Sequence, residues 1–196
     1  MRTAPMKLDP HHYERAFEEF LRRNRIPYVS VHEARKALTH APARRGPTEQ
    51  ASHTRPADPI ALKNFDFVVY SPRLNLLVDV KGRRLAESRS GTGRRTPIRS
   101  RLQNWVTRED IDALRAWQSL FGEGFRAAFV FAYWCPSQPP DGAFHHVFQH
   151  RSRWYALRSV ELDSYARGMK ERSPRWATVD VPARRFDMLG EALCSR

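Results

Sequence analysis

The segment from Phe65 to Gly82 constrains the fold more than any other part of the chain. Two stretches dense in β-branched and aromatic residues, 65–70 and 76–82, flank a turn-like sequence that contains serine, proline and asparagine. Such a pattern is typical of two antiparallel strands joined by a short loop. The segment therefore predicts a β-hairpin at the centre of a sheet-containing fold.

The strand pattern determines on which face of the hairpin each charged residue lies. Because strand side chains alternate between faces, Asp79 and Lys81 share one face and the apolar residues at 76, 78 and 80 occupy the other. With a loop of residues 71–74, Asp66 lies directly across from Asp79. Opposed Cβ atoms are about 5 Å apart, and like charges so placed are destabilising. We therefore expect a cation to stabilise this end of the hairpin.

Two carboxylates followed by a lysine suit metal-dependent hydrolysis of phosphodiester bonds. Carboxylate oxygens are the ligands that Mg²⁺ prefers, and the ion keeps several waters and binds phosphate. An ammonium group beside the ion can orient the attacking water or neutralise charge in the transition state. A tripeptide of this kind occurs often by chance, so its position on a predicted hairpin is what makes it informative.

Asp66 and Asp79-Val80-Lys81 resemble the two motifs of the PD-(D/E)XK nuclease superfamily, with Phe65 where that family has proline. The resemblance implies a nuclease that uses Mg²⁺ or Mn²⁺. It also implies roles for single residues: Asp66 and Asp79 as metal ligands, the Val80 carbonyl as a third ligand, and Lys81 as the cation that orients water.

The first helix carries two further acids. Asp9 and Pro10 predict its start, and apolar residues follow at helical spacing. Glu14 and Glu18 lie one turn apart beside the apolar stripe, and a solvent-facing role is the alternative for each. The segment is similar to the opening of restriction-endonuclease-like and Holliday-junction-resolvase-like members, in which a helical glutamate reaches the metal site. The resemblance favours Glu14, with Glu18 in reserve. Residues 12–18 also match the signature of an uncharacterised group named HYExAFE.

A second helix and a buried strand complete the predicted core. Thr107 and Asp110 form an approximate capping box, apolar residues follow at helical spacing, and residues 125–134 are almost entirely apolar. The predicted order is helix, strand, strand, strand, helix, strand. This αβββαβ order is that of the nuclease superfamily, so motif and topology agree.

We therefore predict an α/β fold with a mixed sheet flanked by helices, in a single domain spanning residues 1–196. Its nuclease-like core covers about residues 9–134. Polar insertions at about 40–60 and 83–101 contain too few apolar residues to bury a core, which predicts mobile loops. Residues 143–196 are predicted to form an α/β extension of the sheet.

The chain is strongly basic, with 29 arginines, 5 lysines, a net charge of +13 and a pI near 10.6. This charge predicts a nucleic-acid partner, DNA rather than RNA, although an arginine bias in composition is the alternative. An arginine-rich loop directly after Lys81 could bind phosphates or could simply be solvated. Its candidate nucleic-acid contacts are Arg83, Arg84, Arg94, Arg95, Arg99 and Arg101.

Cations and aromatic residues also alternate in the C-terminal quarter, between Arg151 and Trp176. This mixture could stack on bases and contact phosphates, or it could be a half-buried sheet edge whose arginines face water. The sequence does not distinguish these two alternatives.

Several classes of protein are disfavoured. Cys135 and Cys194 follow no metal or disulfide spacing, and no apolar stretch resembles a signal peptide or membrane span, which predicts a soluble cytoplasmic protein. The predicted function is metal-dependent endonucleolytic cleavage of DNA, with structure-selective cleavage as a variant. The alternatives are a noncatalytic nucleic-acid-binding module and a ribonuclease. A homodimer is left open.

Overall fold

The computed structural model describes residues 9–40, 62–72, 74–85, 102–139, 142, 144–190 and 193, with the backbone alone for residues 36–40. Most of the two insertions predicted to be mobile lies outside the described residues. Their mobility stays a prediction, and so does the single domain. The second insertion begins later than predicted, because Arg83 and Arg84 belong to the strand Asn75–Arg84.

The helices and strands follow one another in this order along the chain: α1 (His12–Arg23), β1 (Tyr28–Ser30), α2 (Val31–His40), β2 (Phe67–Val69), β3 (Asn75–Arg84), β4 (Val106–Thr107), α3 (Arg108–Phe121), β5 (Phe125–Cys135), β6 (His146–His150), β7 (Arg153–Glu161), α4 (Leu162–Gly168), β8 (Lys170–Ser173), a 3₁₀ turn (Pro174–Trp176), β9 (Thr178–Asp180) and α5 (Ala183–Leu189).

Six of these strands form one mixed sheet in the order β1-β2-β3-β5-β7-β6. Its strand pairs are antiparallel except β3 and β5, which run parallel and are connected through α3. A parallel pair needs a crossover, and α3 supplies it. The predicted α/β class is confirmed, as are the predicted core order and the C-terminal extension of the sheet, which β6 and β7 form. Helix α2 and the two-residue strand β4 are inserted into that order.

A second sheet differs from the prediction. Strands β4, β9 and β8 form a separate three-stranded antiparallel sheet, whereas the sequence predicted that the C-terminal residues extend the main sheet. Strand β4 is two residues long, which is too short to produce a readable alternation. Its partner β9 lies far along the chain, so only the folded structure reveals the pairing.

The main sheet is buried on both faces. On one face Leu77, Phe129 and Phe131 belong to the core cluster that contains the apolar residues of α3, α4 and α5. On the other face Val78 and Val130 pack with the apolar side of α1. The predicted alternation along β3 is therefore confirmed, and Asp79 and Lys81 belong to the face that α3 covers. No helix within the described ranges is long and apolar enough to cross a membrane.

Candidate active site

The hairpin register is the one that the sequence predicts. Phe67 pairs with Val78 and Val69 with Leu76, so that continuing the ladder by one residue would place Asp66 across from Asp79. The regular ladder ends at Phe67, however, because Asp66 lies at a bend just before β2.

Beyond the end of the ladder, Asp66 binds β3 through both its backbone and its side chain. Its backbone N–H donates to the Val78 carbonyl at 2.9 Å, and its carboxylate Oδ2 accepts from the Val80 N–H at 2.7 Å. The carboxylate thus accepts the Val80 N–H in place of a backbone carbonyl, at a point where β2 has already ended. This bond orients Asp66 toward the strand that carries Asp79 and Lys81.

The two aspartates are close enough to influence each other's ionisation. Burial raises the pKa of Asp79 to about 7; the Asp66 carboxylate contributes to this rise, and Lys81 opposes it. Burial also raises the pKa of Asp66, and the nearby Glu14 adds to that rise against the Val80 N–H and Lys81. Desolvation is the largest cause in both cases. Repulsion from Asp66 raises the pKa of Asp79 further, whereas a hydrogen bond with Asp79 lowers the pKa of Asp66.

Lys81 is held between two carboxylates. Its Nζ lies 2.7 Å from Asp79 Oδ2 and 3.1 Å from Asp110 Oδ1, and the lysine side chain is only 15% exposed. Asp79 is on the same strand, and Asp110 comes from the first turn of α3. The ammonium group is therefore positioned from two directions.

Asp110 is a site residue whose second role sequence reasoning missed. The predicted capping box is confirmed: Thr107 N–H donates to Asp110 Oδ2 at 2.8 Å, and Asp110 N–H donates to Thr107 Oγ1 at 3.1 Å. The other carboxylate oxygen faces Lys81 and also Lys63, whose Nζ is 2.6 Å away. Burial alone would raise the pKa of Asp110, but the two lysines and the bonds to Thr107 lower it to about 2.

Lys63 is a second missed residue, from the segment before β2. The Trp117 indole N–H donates to the Lys63 carbonyl at 2.9 Å, which anchors this segment on α3. Nothing in the local sequence around Lys63 signals a site. The scarcity of lysine in this arginine-rich chain is the one clue that could have singled it out.

Helix α1 approaches the same end of the sheet. The Tyr13 ring lies directly over Gly82, so closely that a Cβ on that residue would be 2.1 Å from a ring carbon. Only glycine permits this approach. The contact brings Glu14, the next residue of α1, toward Asp66.

The structure treats the two helical glutamates differently. Glu18 Oε1 accepts hydrogen bonds from Arg22 at 2.7 Å and from the Tyr28 hydroxyl at 2.8 Å. Glu14 Oε2 is buried and has no hydrogen-bond partner among the described residues. Glu14, Glu18 and Asp66 all line one cleft of about 230 Å³, together with His11 and His32.

The acids fit a cation chemically, although they do not yet surround one. Among the described residues, no three His, Cys, Asp or Glu side chains form a ready metal-binding group. A buried carboxylate oxygen without a partner is costly, and so is repulsion between buried carboxylates. Binding of a cation between Glu14, Asp66 and Asp79 would relieve both costs.

Of the predicted nucleic-acid contacts, only Arg83 and Arg84 fall within the described residues. Arg83 donates to the carbonyls of Gly82 and Trp105 and stacks on the Trp105 ring, with its guanidinium carbon 4.0 Å from the centroid. Arg84 is exposed and lies 5.0 Å from the Trp134 ring centroid. The remaining candidates, Arg94, Arg95, Arg99 and Arg101, lie outside the described residues.

Fold and site together define an α/β protein with two aspartates and a lysine clustered at one end of a mixed sheet. No family model matches the chain, and no curated protein matches it. Membership of the HYExAFE group therefore stays a prediction. Among solved structures, the chain is similar to Hjc from Archaeoglobus fulgidus, described as a Holliday junction resolvase from an archaeal hyperthermophile. The identity is 13%, 91% of each chain is covered, and the TM-score is 0.44.

Proposed function

We propose that the protein is a Mg²⁺- or Mn²⁺-dependent endonuclease that hydrolyses phosphodiester bonds in DNA. The convergence of Asp66, Asp79 and Lys81 at one end of the hairpin carries this proposal. These groups offer hard oxygen ligands and a positioned cation in one place, as hydrolysis of a phosphodiester requires. The net charge of +13 supports a polyanionic substrate.

Asp66, Asp79 and the Val80 carbonyl would hold the metal ion, and Glu14 would serve it directly or through water. The buried, unpartnered Glu14 oxygen supports Glu14 over Glu18, since Glu18 is already bound to Arg22 and Tyr28. When bound, a divalent ion supplies Lewis-acid polarisation of phosphate and acidification of water.

Lys81 would act on the reacting phosphate. Its ammonium group would orient the attacking water or neutralise charge that develops on the phosphate oxygens. Asp79 and Asp110 restrict the lysine from two sides, so little reorganisation is needed when the charge develops.

Two substitutions test the proposal. Lys81→Ala and Asp79→Ala should lower cleavage by roughly a hundredfold or more, the scale for losing a positioned charge or a metal ligand. DNA affinity at moderate salt should change little, because the many arginines can supply the phosphate contacts. Lys170→Ala, which removes an exposed lysine of β8, is the matched control and should cut like the wild-type protein.

The assay needs several substrates and both metal ions. Supercoiled, branched and single-stranded DNA should be tested with Mg²⁺ and with Mn²⁺, with RNA alongside and EDTA as the metal-free control. A wild-type protein that binds DNA but cuts nothing would be a noncatalytic binding module, and cleavage of RNA alone would make it a ribonuclease. Cleavage that survives both substitutions would place the active site elsewhere.

A further inference from the structure

The tip of the β8–β9 hairpin presents a large aromatic side chain to solvent. Trp176 ends the 3₁₀ turn and is 67% exposed, whereas a tryptophan is usually buried over most of its surface. The Arg175 guanidinium lies over its ring, 5.3 Å from the centroid. Within the part of the chain that the structure describes, Arg175 has no ion-pair partner. An indole and a cation are thus displayed side by side.

The backbone holds this tip in a defined conformation. Ala177 adopts a left-handed conformation with φ of 44°, and its N–H donates to the Pro174 carbonyl at 3.1 Å. A non-glycine residue in that region carries strain, which the surrounding structure must overcome. The Ala177 carbonyl in turn accepts from the Arg108 N–H at 2.9 Å. The exposed Trp176 is therefore mounted on a fixed turn.

That last hydrogen bond connects the tip to the candidate active site. Arg108 is the first residue of α3, and Asp110, which contacts Lys81, is two residues further along the same turn. Trp105 provides a second connection, because its ring centroid is 4.0 Å from the guanidinium carbon of Arg83 of β3 and 5.9 Å from that of Arg172 of β8. The second sheet is thus joined to the first turn of α3, which carries Asp110, and to Arg83 of β3, two residues after Lys81.

The chemistry of the tip matches an unpaired nucleotide. An exposed indole offers a flat face on which any base can stack, and a neighbouring arginine can reach the adjoining phosphate. By contrast, other members of the C-terminal mixture of cations and aromatics serve the fold. Tyr155 and Arg158 are buried, and Arg158 binds Asp187 and the Phe186 carbonyl. Neither alternative left open by the sequence describes Tyr155 and Arg158, because β7 lies between β5 and β6 and both side chains are buried.

We propose that Trp176 and Arg175 form a stacking contact for an unpaired nucleotide of DNA next to the cleaved bond. The substrate would then be DNA with a single-stranded or unpaired segment at the site, rather than continuous duplex. This inference rests on the proposed nuclease function for its biological sense. Its binding consequence can be measured without any cleavage.

The test compares DNA binding by Trp176→Ala with binding by the wild-type protein, in EDTA so that nothing is cut. The probes are a labelled oligothymidine, a duplex with one gapped strand, and an intact duplex of the same length. Affinity for the first two should fall about tenfold or more, the scale of losing one stacked base. Affinity for the intact duplex should stay the same.

Controls separate stacking from charge and from folding. Trp176→Phe should retain most of the affinity, because phenylalanine still offers an aromatic face. Leu120→Ala removes an exposed apolar side chain from α3, away from the tip, and should bind DNA like the wild type. Arg175→Ala should reduce the slope of log affinity against log salt by about 0.7 for a single-stranded probe, whereas Trp176→Ala should leave that slope unchanged. The melting temperature of Trp176→Ala should match that of the wild type, since the side chain is exposed.

The outcomes distinguish this inference from the proposed function. Equal binding of all three probes by Trp176→Ala and the wild type overturns the inference, and so does an equal loss on the intact duplex. If the wild type cuts no substrate while Trp176→Ala loses affinity for unpaired DNA, the nuclease proposal fails and the stacking contact stands. If Trp176→Ala cleaves normally and binds all three probes like the wild type, the stacking contact fails and the nuclease proposal stands.

Discussion

Asp110 serves two purposes at the scale of a single residue. One carboxylate oxygen caps α3 through Thr107, and the other lies between Lys63 and Lys81. A buried carboxylate between two cations is stabilised by both, which is why its pKa falls although burial opposes the charged form. The residue that completes the capping box of α3 also contacts the candidate catalytic lysine.

Asp110→Asn should therefore destabilise the protein in a pH-dependent way. Asparagine keeps an oxygen for the cap but loses the charge that the lysines contact. Because the pKa of Asp110 is lowered from 3.8 to about 2, its charge stabilises the folded state above pH 3.8. That contribution is lost as the pH falls through 2. We expect a loss of about 1–2 kcal/mol at neutral pH.

Urea unfolding of both proteins between neutral and acid pH measures this difference. It should shrink as the pH falls below 4, because protonated aspartate resembles asparagine. Glu109→Gln is the matched control: Glu109 is exposed, and its Oε2 lies 3.9 Å from Lys63 Nζ, so its loss should have little effect at any pH. A pH-independent deficit in Asp110→Asn would trace the loss to the cap instead of the lysines.

Gly82 determines how closely two elements approach each other. The Tyr13 ring of α1 occupies the space in which a Cβ of β3 would stand. Without this close contact α1 could not rest on the strand at this end, and Glu14 would lie further from Asp66. One missing methyl group therefore brings two parts of the candidate site together.

Gly82→Ala should destabilise the fold by about 1–3 kcal/mol, the usual cost of overpacking a well-packed contact. The clash involves ring atoms close to the Tyr13 Cβ, which cannot swing away without moving the whole side chain. Chemical denaturation of the single variants and of the double variant with Tyr13→Ala measures the effect. In the Tyr13→Ala background the penalty of Gly82→Ala should largely disappear. A penalty of the same size in both backgrounds would point to the backbone of β3.

At the scale of the whole molecule, positive charge exceeds negative charge by 13. Several described arginines are committed to the protein itself, as Arg83 is to Trp105 and Arg158 to Asp187. These arginines are therefore not available to bind a polyanion, and other arginines must supply part of the positive charge for that binding. The segment after β3, which holds Arg94, Arg95, Arg99 and Arg101, is the richest source in the sequence.

Replacing those four arginines with alanine should weaken DNA binding to the same degree for all sequences. The slope of log affinity against log salt should fall by about 0.9 for each phosphate contact removed from duplex DNA. Binding titrations at several salt concentrations give this slope. Arg126→Ala is a control, since Arg126 pairs with Leu76 at the opposite end of the strands from Lys81. If the fourfold variant keeps the wild-type slope, these arginines serve solubility.

Local rules were sufficient for the hairpin and for the start of α3. Alternation placed Asp79 and Lys81 on one face, the turn set the register of β2 and β3, and Thr107 with Asp110 marked a helix start. Each of these depends on residues a few positions apart, whose geometry the backbone itself imposes. The α/β class followed from the order of such elements.

Contacts between distant segments were decided only by the tertiary structure. Helical spacing puts Glu14 and Glu18 on the same side of α1. In the folded structure the Tyr28 hydroxyl donates to Glu18, whereas Glu14 Oε2 has no partner among the described residues. Lys63 reaches Asp110 across 47 positions of sequence because Trp117 anchors its backbone on α3. Strand β4 gains a partner from the far end of the chain. The local hydrophobic pattern does not predict such long-range contacts, because they depend on how whole helices and strands pack and on which buried charges need partners.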